Sequence, residues 1–537
     1  YFPRDLAAAY RIISPRGPVD AHLGSVQWIG ASDLAAIRFD VFRPPLLLLM
    51  LGAVLLFFRV FAARAAQLTT SQLLIAGAIE LLAGLRLLLG YRVWSMPPHR
   101  LEAAELAIVA WMALPWIFLV ACIPIARLAE WRDSREAALP ALAGLTFSAV
   151  FCAIAVDGRT KWVWVICHLL AIAAGLVRTD EVRARFTALV RWARGKATAP
   201  YTPIILAALA FTIVRLVMLL FGWKESASIG VRVSLSVLHI PAAIILQACY
   251  FRRAWQRVAQ HGSLQRADLT AALAILGFVW IIPAAITSDI GLALLNVPLF
   301  VLLLLAVSRH ATRPEGRWVA RVLVALVLLF LAGGPILRLF LPFVHDEELL
   351  LSAASESNFA RFLHFAAPER LRELATKRGE SLAITSAVLQ SYISTGIFGK
   401  GYGHSEVSPH LGDTALRDFA PAVFVAAEWG LVGTVAALLI YLLFPIAARR
   451  WLPWSEYGDA ETSAPTIAFI AAATIAVSSI YMILANHELL LLTGKNAYLL
   501  GLDSAGDVIE TIVLLLLIAY GSSAERDVDA RPFGGIA

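Results

Sequence analysis

Cysteine is scarce in this chain: four residues among 537 (Cys122, Cys152, Cys167 and Cys249), none in a CxxC spacing. That argues against a disulfide framework and a structural zinc site. All four lie in apolar runs and read as small core residues. Charge is scarce as well, at 15% of residues against 60% hydrophobic. Missing, too, are the alternating segments of about ten residues that build a transmembrane β-barrel, and an open sheet cannot satisfy its edges in lipid. What is present is a series of apolar runs close to the roughly 20 residues that cross a bilayer as a helix. The sequence therefore predicts an all-α, polytopic transmembrane protein.

About thirteen spans are expected, at about 44–65, 71–91, 104–128, 137–156, 160–178, 203–222, 229–250, 268–288, 290–307, 319–343, 419–446, 465–486 and 508–521. The net charge of +7 does not point to nucleic acid, because the basic residues cluster between spans. They sit at Arg59/Arg64, Arg127/Arg132/Arg135, 178–196, 251–257, 308–321 and 447–451, after every second span, as the positive-inside rule requires of cytoplasmic connections. The alternation places residues 1–43 and 344–418 outside and the tail 522–537 inside. The chain opens on Tyr1 rather than Met, so a segment upstream is expected.

The external stretch 344–418 concentrates polar groups. Residues 381–396 are apolar but short, which suits a re-entrant or interfacial helix better than a crossing. Next comes GKGYG (399–403), where Gly399, Gly401 and Gly403 allow positive φ and a close approach of backbone amides to an anion beside Lys400. A plain tight turn is the other reading. It is no nucleotide loop, since Gly401 follows Lys400 where a Ser or Thr is needed. Arg417-Asp418 stands just before an apolar run. Asp418 suits a helix N-cap with Pro421 in the first turn, and equally a carboxylate placed for chemistry. Glu428 lies inside the next span, where burial of a carboxylate is expensive; it marks either function or a pairing with Arg215 or Arg338. Glu80 and Arg86 share an early span and are expected to pair locally or with another span.

The order FARFLHFAAPER, SLAITSAVLQSYISTG, IFGKGYG and RDFAPAVFVAAEWGLVG resembles the SEDS family of cell-wall polymerases, the FtsW/RodA/SpoVE type. Asp418-Phe419 matches the family's Asp-Phe, and Glu428-Trp429-Gly430 its Glu through Gly. Residues 222–255 and 485–507 are similar to two further family segments. The chain is a divergent member on this reading: Leu416-Arg417 replaces a His-Thr, and His239 to Ala243 stands where the family has Gln-Pro-Ser-Glu. The resemblance implies a ten-helix core over 137–521, preceded by an external N-terminal segment (1–43) and accessory transmembrane helices (44–136).

It further implies a peptidoglycan glycosyltransferase that polymerises lipid II at the outer face of a bacterial cytoplasmic membrane, coupled to a class B penicillin-binding transpeptidase. Asp418 would be the general base. Arg417, Lys400, Arg361, Arg232, His239, Glu428 and the loop glycines would line the substrate site, with Lys377 and Lys224 as further cations. Asp503 and Asp507 flank Gly506 and leave room for a divalent cation, but no ligand spacing specifies one, so no metal is assigned. Two alternatives stay open. An O-antigen-type polymerase or ligase would use Arg and His from one external loop, as Arg361, His364, Arg370, Arg372, His404 and His410 allow. A flippase without covalent chemistry would use intramembrane charges and helix breaks.

Overall fold

The computed structural model describes residues 67–91, 113–122, 202–220, 226–228, 232–234, 238–287, 290–311, 396–399, 425–455, 463–487, 489–490, 497–501 and 505–529, with scattered positions at 54–63, 143–146 and 321–328. The helices are α1 (Thr70–Tyr91), α2 (Thr202–Leu220), α3 (His239–His261), α4 (Arg266–Ala274), α5 (Ile282–Thr287), α6 (Ile290–Arg309), α7 (Ala427–Ala448), α8 (Ala464–Asn486) and α9 (Ala505–Asp529). Among the described residues three helical stretches are long and apolar enough to cross a membrane: Arg266–Ile286, Ala427–Trp451 and Ala464–Asn486. This is a multi-pass helical membrane protein. The expected spans at 137–156, 160–178 and 319–343 fall largely or wholly outside the described residues.

Helix α8 is the hub, buried along nearly its whole length and packed against α3, α6, α7 and α9. Its sequence explains why. APTIAFIAAATIAVSSIYMILAN is dominated by Ala, Ser and Thr, and small residues let neighbouring backbones approach closely where lipid offers no hydrophobic drive between helices. The approach is closest at Gly521 of α9, where a Cβ would overlap the Ala464 carbonyl and the Ala468 methyl. Pro465 starts α8 without losing a helical hydrogen bond, since the first-turn amides have no intrahelical partner.

Helix α1 lies against α7 and α9. Gln72 Nε2 donates to Ser522 Oγ at 2.9 Å in a buried contact. Glu80 pairs with Arg59 of the preceding segment at 2.5 Å, and the Arg59 guanidinium stands 5.9 Å from the Trp116 ring centroid. So Glu80 pairs with another segment rather than within its own.

The expected span 229–250 is displaced. Two short strands pair antiparallel here, β1 (Ser226–Ser228) and β2 (Arg232–Ser234), with Ala227 opposite Val233. Helix α3 starts only at His239 and runs on to His261, where Gly262 in the left-handed region (φ 69°) caps it. The reason is written in GVRVSLSV (230–237), whose apolar residues recur every second position, the period of a strand and not of a helix. Pro241 fits the first helical turn. The strand pair is the one departure from an all-α chain among the described residues.

The expected span 268–288 is helical but interrupted. Between α4 and α5, Ile275–Ile281 adopts a π-helix, closed by the Ile282 N–H on the Gly277 carbonyl. At the other end Asp268 accepts from the Gln265 N–H at 3.0 Å and pairs with Arg257 at 2.5 Å, which ties the start of α4 to the end of α3.

Candidate functional site: a broken helix and the loop seated on it

Helix α7 is not continuous. Gly430 has φ 62° and ψ −150°, a conformation that L side chains rarely adopt. A break inside an apolar helix strands backbone amides that lipid cannot satisfy. Here a loop from elsewhere in the chain supplies the acceptors. Gly396 O accepts from the Leu431 N–H at 3.2 Å, and Ile397 O accepts from the Val432 N–H at 3.1 Å.

The seat requires glycine on both sides. Gly396 and Gly399 have φ of 85° and 69°. A Cβ on Gly399 would overlap the Glu428 carbonyl and the Gly430 nitrogen, and one on Gly430 would overlap the Gly399 nitrogen and the Gly396 and Ile397 carbonyls. Two residues before the break, Glu428 is fully buried. The expectation had Glu428 well inside a regular helix; the structure places it on the last turn before a discontinuity.

On the other side of the break, Thr434 Oγ1 donates to Gly430 O at 3.0 Å and meets His487 Nε2 at 3.3 Å. His487 follows the last residue of α8, and burial pushes its imidazole pKa below the ordinary value. Nearby in sequence, residues 497–501 make a buried turn with Leu499 at φ 69°. Tyr498 stitches three helices into it: its N–H donates to Ser479 Oγ of α8 at 3.0 Å, its carbonyl accepts from Tyr441 of α7, and its hydroxyl donates to Glu510 of α9. Burial, followed by the nearby Glu510 carboxylate, raises the Tyr498 phenol well above its usual pKa.

Of the residues singled out from sequence, Gly399 and Glu428 are brought together at the break. Asp418, Arg417, Lys400, Gly401, Gly403 and Arg361 lie outside the described residues, as does Arg338. Arg232 is on β2, opposite Ser228. His239 is buried, its Nε2 donating to Val279 O at 2.9 Å and its ring edge-on to Trp280 at 5.5 Å, so it serves the π segment. Arg215 is buried in α2. Neither Thr434 nor His487 stands out in the sequence as a site residue. The available signal was a polar Asn-His pair (486–487) ending a long apolar helix.

A family model described as "Cell cycle protein", the FtsW/RodA/SpoVE type, matches residues 165–518. The chain belongs to this family. The SEDS match takes in α2 through most of α9, including the broken helix, its loop and the buried turn, while α1 lies before it. No curated protein and no solved structure matches the chain.

Proposed function

We propose that this SEDS protein is a peptidoglycan glycosyltransferase that polymerises lipid II at the outer face of the bacterial cytoplasmic membrane, working with a class B penicillin-binding transpeptidase. A sugar hydroxyl of the acceptor attacks the anomeric carbon of the lipid-linked donor, the bond from that carbon to the pyrophosphate oxygen breaks, and the configuration inverts. Asp418 takes the hydroxyl proton as general base. The undecaprenyl pyrophosphate leaves with the bonding electrons, its charge met by Arg417, Lys400 and Arg361.

The observation that supports this reading most is the seating of the 396–399 loop on the Gly430 break. It joins the start of the GKGYG segment to the helix that the Asp418-Phe419 motif leads into, beside the buried Glu428. Backbone departs from regular helix at membrane depth where it lines a cavity or is buried in protein, and broken helices mark ligand sites in other membrane folds. The helices within 44–136 are an accessory or partner-docking module on this reading, and the packing of α1 against α7 gives such a module a route to the site.

The test is polymerisation of lipid II by purified Asp418→Asn protein. Asn keeps the shape and the capping ability of Asp but cannot take the proton, so strand synthesis should fall about a hundredfold or more at normal expression. Near-normal synthesis would remove Asp418 from the mechanism and make Glu428 the next carboxylate to replace.

A further inference from the structure

We propose that His487 is a positioning residue of this site: through Thr434 it holds the Gly430 break, and with it the seat of the 396–399 loop beside Glu428. The catalytic consequence rests on the polymerase reading; the structural one does not.

The direction of the hydrogen bonds carries the argument. A threonine hydroxyl has one proton, and Thr434 spends it on Gly430 O at 3.0 Å. Toward His487 the same oxygen must therefore accept, so Nε2 is the protonated ring nitrogen in the 3.3 Å contact. A directed chain runs from the His487 N–H through the Thr434 hydroxyl to the carbonyl of the residue at which α7 breaks.

Its two ends are unequal in rigidity. His487 is anchored by its backbone N–H, shared between Ile483 O and Leu484 O at 3.2 Å each, to the end of α8, the most buried helix described. The loop is held at its seat by two backbone bonds, to Leu431 and Val432, on the half of α7 that carries Thr434. A shift of residues 430–434 moves those amides away from Gly396 O and Ile397 O. The relay pins that half of α7 to α8 at the point where α7 cannot support itself. His487 reaches the break through Thr434, which makes it a positioning residue and not a catalytic one.

The experiment uses the purified full-length protein in nanodiscs, with hydrogen exchange read at the Leu431 and Val432 amides and turnover read on lipid II. His487→Leu and Thr434→Val should each speed that exchange and lower kcat by about five- to tenfold, the worth of one buried hydrogen bond, with KM little changed. The double variant should be no worse than the poorer single one, since both cut one chain. His487→Gln, which keeps an N–H of similar reach, and Thr434→Ser should restore both readouts. Unchanged exchange in His487→Leu, or a Gln variant as impaired as Leu, would overturn the relay, because the ring would then act by packing alone. Should the wild-type protein build no strands, the polymerase reading fails while the exchange data still decide the role of His487.

Discussion

Among the described residues two apolar spans carry an interruption of the α-helix, and a different kind of group meets the backbone at each. In α7 the break at Gly430 exposes donors, and the backbone carbonyls of a distant loop, Gly396 and Ile397, accept from them. Between α4 and α5 lies the π segment Ile275–Ile281, and there a side chain, His239, donates to the Val279 carbonyl. Both obey the rule that a polar backbone group inside a membrane protein must find a partner. A side-chain repair is self-contained, here with the His239 ring edge-on to Trp280 of the same segment. A backbone repair brings a whole loop, demands glycine on both sides, and fastens to the fold a segment with chemistry in its sequence. On the proposed reading the π segment serves packing and the Gly430 break serves function.

The sharpest way to break the comparison is Gly430→Ala. The residue would be forced to φ 62°, worth about 1–3 kcal/mol of strain, while its Cβ overlaps the seated loop. The thermal transition of the detergent-solubilised protein should drop, and lipid II turnover should be lost even in the folded fraction. His239→Leu should be next in size for stability, costing about 1–3 kcal/mol because the Val279 carbonyl loses its buried donor. If that interruption serves packing alone, turnover per folded molecule stays at the wild-type level; denaturation and activity assays on the same sample check both.

Gln72→Leu probes a contact remote from either interruption. It removes the buried bond to Ser522 and should cost about 1 kcal/mol without altering exchange at Leu431 or Val432. The smallest effect is the pH dependence of stability. Burial lowers the His487 pKa, so the folded state resists the proton that an unfolded histidine accepts near pH 6.5. The sign follows: no penalty above about pH 6.5, and a loss of stability that grows as the pH falls below it toward the folded-state value. His487→Gln should flatten that slope in a pH series of thermal melts.

Much of this was legible in the residue order. The spans at 71–91, 203–222, 290–307 and 465–486 come within a few residues of α1, α2, α6 and α8, because long apolar runs admit one solution in lipid. The family was legible from the order of motifs around Asp418 and Glu428 and is shown by the match over 165–518. The strand alternation in 230–237 is also in the sequence, where it competes with an apolar run over 229–250 long enough to read as a span. The π segment was not legible: ILGFVWI carries no pattern that separates it from an α-helix, and the side chain that donates to its Val279 carbonyl, His239, lies 40 residues upstream.

The sequence by itself determined that the chain is a helical membrane protein, where several of its helices lie, and which family it belongs to. Those properties follow from local hydrophobic length and from motif order, neither of which depends on what lies across the molecule. Tertiary structure decided the rest. That Gly430 breaks a helix, that Gly399 fits against it, and that Thr434 and His487 meet beside it are relations between residues 31 and 53 positions apart. A glycine in sequence permits a positive φ without requiring one; only the loop arriving at Leu431 and Val432 makes the broken helix the stable choice.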